Sequence, residues 1–148
     1  MLRKYLMMRF LKVIVFSLLI NLFSVSVNAE EKVNGNEFNW KPVIDAIIHL
    51  ESRGKAKAVN GQYAGVLQIS PVLVKECNNI LQARGSKKRY TLSDRFNVQK
   101  SKEMFLVIQS FHNPLNNIEK GIRIWAGGIR YSIAKTQKYV QKVFAVMK

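Results

Sequence analysis

Acidic residues are scarce in this chain. Nine Asp and Glu stand against 24 Lys and Arg in 148 residues, a formal charge of +15. There is one cysteine, Cys77, which excludes an internal disulfide framework and a cysteine-rich zinc site. Two histidines, His49 and His112, argue against a His-based metal cluster. No glycine-rich phosphate loop is present, which argues against nucleotide-dependent chemistry. Neither a metal nor a cofactor is therefore expected. The length suits one domain. A hydrophobic share of 48% argues against global disorder despite the charge.

The N-terminal segment has the order of a secretory signal peptide. Residues 1–12 carry Arg3, Lys4, Arg9 and Lys12 and no acid. Val13–Val27 is apolar apart from Ser17, Asn21, Ser24 and Ser26, and Val27-Asn28-Ala29 closes it with small residues where a signal peptidase cuts. A retained anchor is the alternative, but the 15-residue apolar run is shorter than the roughly 20 residues that span a bilayer. No Cys follows, so lipid attachment there is not indicated. Residues 1–29 are expected to be removed, on export to the periplasm or beyond the cell. Losing the four basic residues of that segment leaves 119 residues with 20 Lys and Arg against nine acids, or +11. A basic exported protein suggests an anionic partner such as cell wall, lipopolysaccharide, a membrane surface or nucleic acid, although solubility explains part of the charge. The run Lys87-Lys88-Arg89 reads as a solvated loop, and Cys77 as a small buried hydrophobe.

The remainder reads as mainly helical. Residues 30–39 have little periodicity and form a leader to a domain at 40–148. Val43, Ile44, Ile47, Ile48 and Leu50 predict a helix over 41–52, with Pro42 in its first turn and Gly54 as its stop. Asn60-Gly61 is a tight-turn signal between extended pieces Lys57–Val59 and Gln62–Ala64. Ser70-Pro71 opens a second helix with a stripe of Val72, Leu73, Cys77, Ile80 and Leu81. A third runs from Asp94 or Asn97 to Phe111, with Val98, Phe105, Ile108 and Phe111 or His112 inward. Ile118, Ile122 and Trp125 mark a fourth, closed by Gly127-Gly128. A fifth, from Ile133, buries Val140, Val143, Phe144 and Met147. Five helices and one small hairpin around one core make a compact, mainly α domain.

Glu51 continues the stripe of Ile44, Ile47 and Ile48 at helical spacing. It also lies in the last turn, where the macrodipole disfavours negative charge. Both features favour the neutral carboxyl from which a general acid starts. The alternative is a helix that frays after Leu50 and leaves Glu51 in water. No second acid is evidently paired with it in sequence.

Four segments come in a telling order. They are Glu51-Ser52 at a helix end, Gly65-Val66-Leu67-Gln68-Ile69-Ser70, Ile124-Trp125-Ala126-Gly127-Gly128, and Thr136-Gln137-Lys138-Tyr139-Val140. Together they resemble the soluble lytic transglycosylase family of the lysozyme-like superfamily, whose pattern is Glu-Ser, Gly-Leu-Met-Gln-Ile, Ala-Tyr-Asn-Ala-Gly, then Thr-x-x-Tyr-Val. The resemblance spans roughly residues 40–146. It implies an α+β lysozyme-like domain that cleaves peptidoglycan between N-acetylmuramic acid and N-acetylglucosamine, leaving 1,6-anhydro ends. Glu51 matches the catalytic acid, which also serves as base, so a paired carboxylate is not essential.

The resemblance further implies substrate contacts at Ser52, Gly65, Gln68, Trp125, Ala126, Gly127 and Tyr139. Each has an ordinary structural alternative: Ser52 as a helix cap, Gly65 as a turn residue, Gln68 as an outward polar group, Trp125 as core, and Tyr139 as a helix-surface aromatic. Ala126 departs from the pattern, because the family carries asparagine there. Losing one substrate hydrogen bond costs about 0.5–1.5 kcal/mol, which weakens binding without removing acid catalysis. The resemblance implies peptidoglycan strands as partner, and the basic charge adds other anionic envelope polymers; a monomer and no nucleic acid are expected. A lysozyme-type hydrolase and a weakly active wall-binding protein of an envelope assembly are the alternatives.

Exported from a secretion-competent host, the mature chain is expected to begin at Glu30, as read by N-terminal sequencing. A full-length chain retained in the membrane fraction would contradict the signal-peptide reading.

Overall fold

The structure, a computed structural model, describes residues 38–148. The expected signal peptide at 1–29 and the leader through residue 37 lie outside the described residues. Among the described residues, five α-helices, one two-stranded sheet and a 3-10 turn follow in the order α1, β1, β2, α2, 3-10 turn, α3, α4, α5. The mainly helical reading is correct. Of the expected leader, Phe38 and Asn39 are described: Asn39 is exposed, and Phe38 packs edge-on against buried Trp40, with ring centroids 4.9 Å apart.

Helix α1 (Lys41–Ser52) starts with proline in its first turn and buries Val43, Ile44, Ala46 and Ile47. It ends at Ser52, as expected: Arg53 caps it with a left-handed φ of 53° and Gly54 follows at 80°. Strands β1 (Val59–Asn60) and β2 (Tyr63–Ala64) pair antiparallel, Val59 with Ala64 and Asn60 with Tyr63. The turn therefore lies at Gly61-Gln62, one residue later than expected. Gly61, at φ 58°, takes the loop position that needs positive φ, which lets Asn60 remain in the ladder.

The chain then doubles back on itself. Ala64 and Ile69 exchange backbone hydrogen bonds of 3.1 and 2.8 Å, closing a tight loop over Gly65–Gln68. Gly65 has φ 78°, and a Cβ there would sit 1.7 Å from the Arg95 carbonyl oxygen. Its lack of a side chain thus accommodates the Arg95 backbone, where the resemblance implied close approach to a sugar. Arg95 fastens the same region, donating from Nη1 to the Gln62 and Ile69 carbonyls at 2.9 and 3.1 Å.

Ser70 caps α2 (Pro71–Ala83) by accepting from the Leu73 amide at 3.2 Å. Val72 is 72% exposed and Val74 is buried in its place. The two lie about 200° apart around the helix, so one stripe cannot hold both. Cys77 is fully buried, and burial pushes its thiol up to about 12, which makes it an inert core residue. Asp94 belongs to the 3-10 turn Leu92–Phe96, and Asn97 caps α3 (Val98–His112). The inward face of α3 is Ser101, Met104, Phe105, Ile108 and Gln109; Val98 and Phe111 are exposed. Phe111 lies one step off that stripe and stands beneath the Arg84 guanidinium. His112 is half-buried, with Nε2 2.8 Å from a Glu76 oxygen.

Helix α4 (Ile118–Gly127) crosses Trp40 closely at Gly121, where a Cβ would lie 2.7 Å from the indole. Helix α5 (Ile133–Met147) buries Thr136, Val140 and Val143, whereas Phe144 and Met147 are only half-buried against the core. Arg123, 5% exposed, fastens α4 to α5. It pairs with Glu119 and donates to Thr136 Oγ1 at 2.8 Å, Gln137 Oε1 at 2.6 Å and the Ile133 carbonyl at 2.9 Å.

Gly65→Ala and Gly61→Ala separate clash from backbone strain. Gly61 has no atom within 4 Å of a built Cβ, so its substitution is expected to cost only the strain, about 1 kcal/mol. Gly65→Ala adds the Arg95 collision and is expected to cost at least about 2 kcal/mol in denaturant unfolding. Equal midpoints for the two variants would contradict this account of the loop.

Candidate functional site

Glu51 is the penultimate residue of α1 and is half-buried. The helix does not fray there, because Ser52 holds its end. Ser52 is buried; its hydroxyl donates to the Val66 carbonyl at 2.8 Å and accepts from the Gly54 amide at 3.2 Å. The residue beside the acid thus ties α1 to the Gly65–Gln68 loop.

Gln68 stands in that loop at φ 49°, a conformation that costs a non-glycine residue about 1–2 kcal/mol. Its side-chain amide donates to the Gly65 carbonyl at 2.8 Å and the Ala58 carbonyl at 3.3 Å, which offsets the strain. Tyr139 comes from the face of α5 that also buries Thr136 and Val140. Its hydroxyl donates to Glu51 Oε1 at 2.5 Å, across 88 residues of chain. Burial first, and the neighbouring Glu51 second, push the Tyr139 hydroxyl far above its ordinary value, so it stays a donor.

These groups share an open cleft of about 650 Å³. Helix α1, the loop after the hairpin and the start of α2 contribute Glu51, Leu67, Gln68, Ser70 and Leu73; the segment from α4 into α5 contributes Trp125, Ala126, Gly127, Arg130, Ser132, Lys135, Thr136 and Tyr139, and the hairpin adds Asn60 and Tyr63. Six of the eight residues singled out in sequence meet here: Glu51, Gln68, Trp125, Ala126, Gly127 and Tyr139. Ser52 and Gly65 do not line it and act behind the wall, on the backbone. Trp125 serves both core and cleft, since it is half-buried and packs on Phe105 at 5.0 Å between centroids. Gly127 allows close passage, because a Cβ would stand 2.9 Å from Tyr131 Cβ and 3.0 Å from Thr136 Cγ2.

Among the described residues Glu51 is the only acid in the lining, and Arg130 and Lys135 are its only Lys or Arg residues. Sequence reasoning missed both cations, which are two among 24. It also missed the hairpin's Asn60 and Tyr63, whose place over the cleft depends on tertiary pairing. Arg123 had one local signal, an acid four residues earlier within an apolar stripe. Chemically, the arrangement offers one carboxyl with Oε1 held and, among the described residues, Oε2 without a partner, beside a flat indole. It suits proton transfer to and from a bound neutral group.

Tyr139 also makes a pH prediction. In the folded protein its hydroxyl keeps its proton above the ordinary value of 10.0. The unfolded chain binds fewer protons there, so this contribution is complete below about pH 10 and is lost as pH rises further. Unfolding free energy is expected to fall more steeply above pH 10 for wild type than for Tyr139→Phe, by at most about 1.4 kcal/mol per pH unit. Parallel curves would contradict a buried, protonated Tyr139.

Comparison of the chain with models of known families, with curated proteins and with solved structures finds no match.

Proposed function

We propose that the protein is an exported lytic transglycosylase with a lysozyme-like domain, acting on peptidoglycan in the periplasm or cell envelope. One observation carries the reading. Among the described residues a single carboxyl, Glu51, stands in an open cleft with Oε1 fixed by Tyr139 and no second acid in the lining. The order of the four sequence segments supports it independently.

The chemistry follows from that carboxyl. Protonated at Oε2, Glu51 gives its proton to the glycosidic oxygen; the bond from that oxygen to the muramyl C1 breaks as positive charge spreads over C1 and the ring oxygen. The hydrogen bond from Tyr139 strengthens as the carboxylate forms, which stabilises the product of proton transfer. The carboxylate then takes the proton of the muramyl 6-hydroxyl, whose oxygen attacks C1 and closes a 1,6-anhydro ring. Glu51 ends protonated, and no water is consumed. Held in the same sugar, the 6-hydroxyl has a high effective concentration. Hydrolytic enzymes of this kind commonly use two carboxyls about 5–9.5 Å apart, and among the described residues only the Glu51 carboxyl lines this cleft. Tyr139 acts here as a positioning residue, and Trp125 offers a flat face to a sugar ring.

Glu51→Gln keeps the shape but cannot exchange the proton. It is expected to lower solubilisation of purified sacculi at least about 100-fold. Tyr139→Phe is expected to lower kcat about tenfold with KM unchanged, because it loses a hydrogen bond that strengthens during reaction. Wild-type turnover by Glu51→Gln would refute the reading. A cleft that binds sacculi without solubilising them would favour the wall-binding alternative.

A further inference from the structure

Two cleft cations have no role in the fold. Arg130 and Lys135 are exposed, and among the described residues neither side-chain cation makes a hydrogen bond or ion pair within the protein. Lys41, Lys88, Lys100 and Arg123 each meet a carboxylate, and of the described Lys and Arg residues that do not, only Arg130 and Lys135 line the cleft. Lys135 sits in the first turn of a 15-residue helix that has no acid in that turn. The helix dipole disfavours a cation at this end, so the stability of α5 does not explain it. Arg130 lies on the preceding turn, which Gly128 opens at φ 75° and the Tyr131 amide closes on the Gly128 carbonyl at 3.1 Å. Glu51, the only acid among the described residues that line the cleft with these charges, is engaged by Tyr139.

We infer that Arg130 and Lys135 form an anion subsite for carboxylates carried by the muramyl unit of the glycan, an inference that rests on the cleavage reading above. Lys135 precedes Tyr139 by four residues of α5, about 6 Å along the helix axis. A group held at Lys135 is therefore about one helical turn from the tyrosine that fixes the acid. That distance suits a substituent of the reacting sugar. The muramyl unit carries its carboxylate either on the lactyl group, where the peptide has been removed, or on the peptide itself. A neutral glycan of N-acetylglucosamine carries neither. The subsite therefore selects muramyl glycan over chitin-like glycan. It also supplies polar contact on the wall where Ala126 supplies none.

Calorimetric binding to the protein carrying Glu51→Gln tests this without requiring turnover. The probes are chitotetraose, a peptide-free muramyl tetrasaccharide and its peptide-bearing form. At low salt at least one charged probe is expected to bind about fivefold more tightly than chitotetraose, with the advantage shrinking as salt rises. Whichever charged probe shows it identifies the lactyl or peptide carboxylate as the source. Adding Arg130→Gln and Lys135→Gln is expected to bring the charged probes down to chitotetraose. Equal binding of all three probes, or equal weakening of all three by the double substitution, would overturn the subsite and leave the cleavage reading standing. Binding of none by the parent would overturn both.

Discussion

The hydrogen bond from Tyr139 to Glu51 joins α5 to α1, and the cleft depends on it. It fixes one carboxyl oxygen, and so decides which oxygen faces the open space. The bond forms only if α1 keeps its helical end and α5 is held at the right height. Ser52 secures the first condition through Val66. Arg123 secures the second, binding Glu119 on its own helix and Thr136 and Gln137 on α5.

Arg123 is an unusual tether, because a guanidinium loses much hydration on burial. Here its donors meet a carboxylate, a hydroxyl, a side-chain amide oxygen and a backbone carbonyl, so the cost of desolvation is largely offset. Among the described residues no buried side-chain nitrogen or oxygen lacks a partner. Glycines do the opposite work: Gly121 lets α4 approach Trp40, and Gly127 lets the cleft wall pass Tyr131 and Thr136.

Local signals were legible in the sequence and long-range ones were not. Ser70-Pro71 states its own helix start, because cap and proline act within one turn. Glu51 on an apolar stripe could be singled out for the same reason. Its partner Tyr139 was named, but their meeting was not, since 88 residues separate them and no periodicity reports on it. Gly65 was noticed, yet its physical reason, the Arg95 backbone, lies 30 residues away. Val72 was placed inward and Val74 was not named, because both are apolar and only packing chooses between them.

The mass of the released glycan end tests the central claim most directly, because it records which oxygen attacked C1. Attack by the muramyl 6-hydroxyl leaves an anhydro end, lighter by one water, about 18 mass units, than a hydrolysed, reducible end. The account predicts that muropeptides released by the wild-type protein from purified sacculi carry the lighter, non-reducible end. Products bearing only the heavier end would contradict it and make the protein a hydrolase.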